Sequence, residues 1–251
     1  MVIAVISDIH SNLEALQTVL GEIDRRGIEK VVCLGDLVGY NADPDSCVTA
    51  VMSRCSQVVR GNHDKAVAGL LDVEWFNPAA RAAALWTRAA VRPETLETVR
   101  DLRQGPWRLA EDESVLLCHG TPFDEDVYLM DGVSIADTYA ALDAEHPDVR
   151  FCFHGHTHVP FVVARRRPNA RPQVVRGPQT VEIEPRTVYL INPGSVGQPR
   201  DGIASASFGI LDTGRMVYTN VRAPYPVQET QRKIQLAGLP ASLAHRLAEG
   251  R

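Results

Sequence analysis

The sequence predicts an α/β fold in which two β-sheets lie face to face and helices cover their outer sides. Three observations carry that expectation. Residues 2–59 alternate strand and helix patterns in the order β-α-β-α-β, which implies parallel pairing. Beyond residue 160 the chain turns to short β-rich runs separated by Gly and Pro. Polar patches stand where most apolar runs end, the place where an open sheet gathers distant residues along one edge.

Val2 to Ile6 is a continuous β-rich run, followed by Ser11 or Asn12 as a cap and by Leu13, Leu16, Val19, Leu20 and Ile23 at helical spacing, until Gly27 stops the helix. Val31-Val32-Cys33-Leu34 reads as the next buried strand, Asp43-Pro44 opens a helix through Val48, Val51 and Met52, and Val58-Val59 forms a third strand. From Lys65 to about residue 104 the pattern becomes Ala-, Leu- and Arg-rich, with breaks at Asn77-Pro78 and Arg92-Pro93, and reads as a helical insertion. Val115-Leu116-Leu117-Cys118 restores the sheet, a helix covers Ile135 to Leu142, and Arg150-Phe151-Cys152-Phe153 ends at a histidine cluster. Six short runs follow, beginning at Phe161, Gln173, Thr180, Val188, Ser207 and Met216, where hairpins should dominate, and Val227 to Leu247 supplies an outer helix. At 251 residues and 45% hydrophobic content, with no internal repeat, the chain is expected to form a single domain over 1–251, insertion included.

A formal charge of −5 argues against general duplex-DNA or membrane-surface binding, which needs a broad basic face. The five cysteines are odd in number, lack C-x-x-C spacing and mostly sit in or beside apolar runs, which fits a reduced, cytoplasmic chain. No leader-like segment opens the sequence, and no apolar run approaches the roughly 18 residues that span a bilayer.

The polar patches are Asp8-Ile9-His10, Gly35-Asp36, Gly61-Asn62-His63-Asp64, Cys118-His119-Gly120, His154-Gly155-His156-Thr157-His158 and, less clearly, Asn192-Pro193-Gly194-Ser195. In extended backbone Asp8 and His10 point the same way and can grip one ion, and His156 and His158 repeat that spacing after a glycine that lets the backbone come close. Asp36 is placed to bridge two cations. Two divalent ions about 3.5–4 Å apart clamp a phosphoryl group and lower the pKa of a bridging water. Set against Asp8, Asp36 and one hydroxide, two dications leave a net charge of about +1 toward an anionic substrate. Carboxylate, amide oxygen and imidazole together suit Mn, Fe, Zn or Co rather than a soft thiolate site. His63 projects away from Asn62 and is free to donate a proton to the departing oxygen, with Asp64 orienting it.

In this order, Asp8-x-His10, Gly35-Asp36, Gly61-Asn62-His63-Asp64, His119 and Gly155-His156-x-His158 resemble the calcineurin-like metallophosphoesterase superfamily, over residues 1 to about 215. The resemblance implies a four-layer α-β-β-α sandwich of two mixed sheets flanked by helices. It implies one metal held by Asp8, His10, Asp36 and His158, a second held by Asp36, Asn62, His119 and His156, and His63 as acid. Mn or Fe is expected, with Zn, Co or Ni as alternatives. Together with Asn192-Pro193-Gly194-Ser195-Val196-Gly197, the pattern is similar to the small bacterial and archaeal phosphodiesterase-type branch. It departs from the protein-phosphatase and symmetrical diadenosine tetraphosphate hydrolase branches, which carry an arginine soon after the Gly-Asp motif, where this chain reads Leu37-Val38-Gly39-Tyr40-Asn41. Tyr40, Asn41 and Arg200 are the candidate substrate contacts, although an exposed turn arginine is the commoner explanation for Arg200.

The expected function is a dinuclear metal-dependent phosphoesterase, a phosphodiesterase by preference. It would hydrolyse a small phosphoester, a nucleotide among the candidates, by attack of metal-bridging hydroxide. A phosphomonoesterase acting on nucleotides or phosphoproteins and a catalytically silent metal-binding scaffold are the alternatives. Arg165, Arg166, Arg167, Arg171 and Arg176 are read as a solvated hairpin loop marked by Pro168, Asn169 and Pro172. Trp75, Phe76 and Trp86 are read as packing a helical cap onto the body.

Overall fold

The computed structural model describes residues 1–168, 170–175 and 180–251. β1 (Val2–Ile6), β2 (Lys30–Cys33) and β3 (Gln57–Val58) pair in parallel through the crossovers α1 (Leu13–Arg25) and α2 (Pro44–Arg54). The Asn12 side chain caps α1 by accepting from the Ala15 amide, and Pro44 opens α2 at a position where the missing N–H costs nothing. The insertion starts slightly earlier than the sequence suggests: α3 (Asn62–Ala68), a 3-10 turn (Val73–Trp75), α4 (Pro78–Ala90) and α5 (Pro93–Arg100). Then come β4 (Trp107–Leu109), β5 (Asp112–Leu117), α6 (Gly132–Glu145) and β6 (Phe151–Phe153). The β-rich remainder is β7 (Phe161–Arg166), β8 (Gln173–Val175), β9 (Thr180–Glu182), β10 (Thr187–Asn192), β11 (Ala206–Asp212) and β12 (Val217–Ala223), closed by α7 (Val227–Leu236) and α8 (Ala241–Glu249).

These strands form two mixed six-stranded sheets, ordered β3-β2-β1-β11-β12-β9 and β4-β5-β6-β10-β7-β8. Hairpins are fewer than the Gly and Pro spacing implies. β10 enters in parallel beside β6 while pairing antiparallel with β7, and β11 crosses to the first sheet to pair with β1. Both strands are apolar on two faces, which favours the sheet interior over a meander edge. The final segment is two helices rather than one, because Gly238 at φ 68° and Pro240 interrupt it. β4 pairs with β5 although its sequence, Trp-Arg-Leu, is too short to register as a strand.

Alternation along each strand sorts the core into three layers of contact. Ile3, Val5, Leu117, Phe153 and Ile191 meet between the sheets. Ala4 and Ile6 face α1 and the other helices of the first side, whereas Leu116, Cys152 and Leu190 face Ile135, Tyr139 and Leu142 of α6. The result is the four-layer α-β-β-α sandwich. Its parallel strands all end at one rim. No helix among the described residues is long and apolar enough to cross a membrane.

Candidate metal centre

Each proposed ligand lies just past the C-terminal end of a strand: Asp8 and His10 after β1, Asp36 after β2, Asn62 after β3, His119 after β5, and His156 and His158 after β6. Asp8 and His10 are not in extended backbone, as their spacing suggests. Left-handed residues turn the loop instead, with φ of 55° at Asp8, 49° at His10, 53° at Asp36, 64° at His156 and 61° at His158. Each costs about 1–2 kcal/mol for a non-glycine residue. A ladder of loop hydrogen bonds holds the strain: the Asp8 amide donates to Gly35 O at 3.0 Å, His10 to Asp36 O at 2.9 Å and Ser11 to Leu37 O at 2.9 Å.

The side chains converge in two groups that share Asp36. Ligand atoms of Asp8, His10, Asp36 and His158 lie within 4.8 Å of one another, as do those of Asp36, His119 and His156. The Asn62 side-chain oxygen stands 3.1 Å from His119 Nε2 and joins the second group. Nδ1 of His10, His119 and His158 contacts the carbonyls of Val38, Leu34 and Gln198 at 3.1, 2.8 and 2.6 Å. A carbonyl only accepts, so each of these rings carries a proton on Nδ1 and turns Nε2 inward, as a lone pair on His10 and His158 and as an N–H facing Asp36 and Asn62 on His119, a proton that a cation would displace. His156 is reversed, its Nε2 donating to Asp126 O at 3.1 Å and leaving Nδ1 unbonded.

This donor set fits divalent cations. Nε2 of His10 and His158 face each other at 3.1 Å, a repulsive approach of lone pairs unless positive charge lies between them. Asp8 Oδ2 is buried without a hydrogen-bond partner. Burial pushes Asp8 up to about 7, partly opposed by His119. Burial also works to raise Asp36, but His119, then His63 and His10, hold it well below the usual range. His119 is lifted up to about 10 because the Asp36 charge and hydrogen bond outweigh burial. Burial lowers His10 and His158 well below the ordinary value, and lowers His156 to about 3 and His63 to about 4. The fold thus keeps most imidazoles neutral and lone-pair-bearing, the state a metal needs.

Asp64 does not orient His63. Its two oxygens are taken by backbone amides, Oδ2 by Asp36 and Gly61 at 2.9 Å each and Oδ1 by Leu37 at 2.9 Å and Val38 at 3.3 Å. At N3 of α3 the carboxylate reaches back across the helix start and pins the Asp36 loop. Gly61 is required beside it, since a Cβ there would lie 2.1 Å from Asp36 Oδ1. Gly155 serves the other side: a Cβ would meet Asp8 Oδ2 at 2.8 Å, so this glycine brings the backbone close to a ligand carboxylate.

His63 sits among Tyr40, Phe76 and His10, with ring centroids at 4.4, 4.7 and 4.8 Å, and its Nδ1 has no partner. Tyr40 borders the site through these ring contacts. Asn41 is buried and donates from Nδ2 to His10 O at 2.7 Å, holding the ligand loop and not lining the crevice. Arg200 is half-buried instead of an exposed turn residue, donating to Tyr40 Oη at 3.2 Å and Gln198 Oε1 at 3.1 Å. Asn192 and Ser195 are buttresses. Asn192 Nδ2 donates to Gly155 O at 2.7 Å, and Ser195 Oγ to Asp8 O at 2.8 Å. His154 packs on Phe161 at 5.1 Å, outside both ligand groups. Tyr128, which no motif marks, stacks on His156 at 4.0 Å.

A crevice of about 360 Å³ opens over Asn62, His63 and His156, walled by the insertion on one side and Tyr128 on the other. Trp75 is 86% exposed at its edge, which departs from the packing role expected of it, whereas Phe76 and Trp86 do pack against the core. In the arginine-rich hairpin, Arg165 pairs with Asp143 at 2.5 Å and lies over Tyr139, tying β7 to α6. Asn169 and Arg176 lie outside the described residues.

A sheet rim that gathers buried carboxylates and imidazoles around a shared aspartate defines a divalent-metal centre. The calcineurin-like phosphoesterase superfamily domain profile matches residues 1–216, and the chain belongs to that superfamily. It is 38% identical over 253 residues to an uncharacterized protein of Methanocaldococcus jannaschii, covering 99% of this chain and 98% of that one. The crystal structure of a metallophosphoesterase from Sphaerobacter thermophilus superposes with a TM-score of 0.83 at 36% identity, covering 100% of this chain and 99% of the other. A hypothetical protein from Pyrococcus horikoshii shares the fold, with a TM-score of 0.78 at 19% identity and coverage of 100% and 98%. Family and cluster together support a metal-dependent phosphoester hydrolase.

Proposed function

We propose that the protein is a phosphodiesterase holding two divalent ions, Mn or Fe, with Asp8, His10, Asp36 and His158 around one and Asp36, Asn62, His119 and His156 around the other. The observation that carries this reading is the pair of ligand groups sharing Asp36, with Nε2 atoms turned inward by carbonyl contacts on Nδ1. Two such ions, when bound, bring the pKa of water toward neutrality and draw charge off phosphoryl oxygens. His63 stands at the crevice floor beside Asn62 and is the proton donor to the leaving oxygen, the phosphoryl anion beside it favouring the protonated ring that burial alone disfavours. Arg200, held by Tyr40 and Gln198 and near enough to Asp8 and His10 to act on their charges, is the guanidinium we assign to the phosphoryl group. Asp64 and Asn41 act as positioning residues on the two ligand loops. A diester is preferred to a monoester on the likeness of the motif set to the phosphodiesterase-type branch, and the paired assay below decides between them.

We further read residues 1–251 as one domain, since α7 and α8 share a core with α1, and place the chain in a reducing compartment, on its five free thiols. The test is hydrolysis of bis(p-nitrophenyl) phosphate by Mn-loaded protein, with p-nitrophenyl phosphate alongside. Faster diester turnover that disappears in His119→Ala is expected. No turnover of either ester by fully loaded protein overturns the assignment.

A further inference from the structure

Resting on the phosphodiesterase reading, we infer that the crevice between the insertion and Tyr128 is a nucleobase subsite, and that the departing group is a nucleoside whose base stacks on Trp75. Trp75 is presented, not left loose. Asp72 Oδ1 accepts from the Glu74 amide at 3.0 Å, the Phe76 amide donates to Val73 O at 3.0 Å, and Arg81 Nη1 grips Glu74 at 2.7 Å across the turn. An indole held 86% exposed would be a lone surface aromatic elsewhere, but here it lines a cavity whose floor carries Asn62, His63 and His156. Tyr128, 46% exposed and stacked on His156, forms the facing aromatic wall.

Charge and direction select the occupant. Among the described residues the crevice lining contains no Lys or Arg to hold a second phosphate, and its carboxylate, Asp126, is already paired with Lys65 at 2.8 Å, so the lining suits a neutral ring with polar edges. Asn77 adds a donor: its Oδ1 accepts from the Ala80 amide at 3.0 Å, leaving Nδ2 for the ring edge. His63 lies on this side of the site, so the group whose oxygen it protonates is the one that extends into the crevice. On hydrolysis the P–O bond to the nucleoside breaks, water supplies the new oxygen on phosphorus, and the nucleoside leaves with a hydroxyl proton from His63.

The probe is an adenosine phosphonate in which carbon replaces the ester oxygen, compared with methylphosphonate, both titrated into Mn-loaded full chain by calorimetry and tryptophan fluorescence. Base stacking is expected to tighten binding about ten-fold or more over methylphosphonate and to quench tryptophan emission. Trp75→Ala should lower the ratio of the two affinities at least about five-fold and remove the quenching, and Trp75→Phe should restore most of the ratio. The exposed position makes misfolding of either variant a minor concern, which circular dichroism checks. Equal affinities for the two phosphonates, or a ratio unchanged in Trp75→Ala, overturn the subsite even where bis(p-nitrophenyl) phosphate is hydrolysed. Tight, Trp75-dependent base binding without any hydrolysis retains the subsite and overturns the phosphodiesterase.

Discussion

Beneath the crevice, Asp8, His10, Asp36, His119 and His158 are almost wholly buried, and left-handed backbone or paired ring nitrogens fix each of them. On the wall, Trp75 stands exposed on one short turn secured by a cap and a solvent-facing ion pair. The floor has one arrangement, enforced by mutually dependent hydrogen bonds, so its residues couple to one another. Trp75, unlike Phe76 and Tyr128 on the same walls, touches little else and is nearly independent. Chemistry that needs fixed geometry sits on interlocked strand ends, while selection of the departing group is delegated to an element that can change without disturbing them.

The sharpest way to break that contrast is Asp36→Asn, which removes the shared charge while keeping the shape. Diester hydrolysis should fall below detection and bound Mn should drop, as counted by plasma mass spectrometry; full metal content with normal turnover would show that the two groups do not share this residue. His63→Ala should lower kcat by about 10²–10⁴-fold at unchanged metal content, the range for a lost proton donor. A smaller but structural effect is expected for Asp64→Asn. One oxygen becomes an N–H facing backbone donors, and urea denaturation should report a loss of about 1–3 kcal/mol. Trp75→Ala marks the other end: its stability should stay within about 0.5 kcal/mol of wild type by the same assay, because little surface is uncovered. A large loss there would mean that wall and floor are coupled.

Much of this arrangement was legible because two periodicities are written into the chain. The runs at Val2–Ile6, Val31–Leu34 and Phe151–Phe153 end at charged or imidazole residues, and parallel strands bring those ends together, so the convergence of the patches followed from topology, while their division into two ligand groups came from the likeness to the calcineurin-like superfamily. What escaped depended on which way a short side chain turned. Asp64 lies next to His63 in sequence, yet its oxygens find four amides nearer than the imidazole, a preference set by the helix start that spacing alone does not encode. Asp8 and His10 share a face through left-handed turns, not through strand alternation, because the loop must bend toward Asp36. Arg200 and Tyr128 occupy loops without periodicity. Their positions follow from tertiary contacts with Tyr40 and His156.

The turn at residues 195–197 clamps the Asp8 loop, with Ser195 Oγ on Asp8 O across 187 positions of sequence and the Val196 and Gly197 amides on Ser7 O and Asp8 O at 2.9 Å. Contacts so remote form late, since closing a long loop is entropically slow. A newly synthesised chain therefore holds its first acidic ligand unsecured until the closing strands dock, and firm cation retention marks the completion of folding rather than its nucleation.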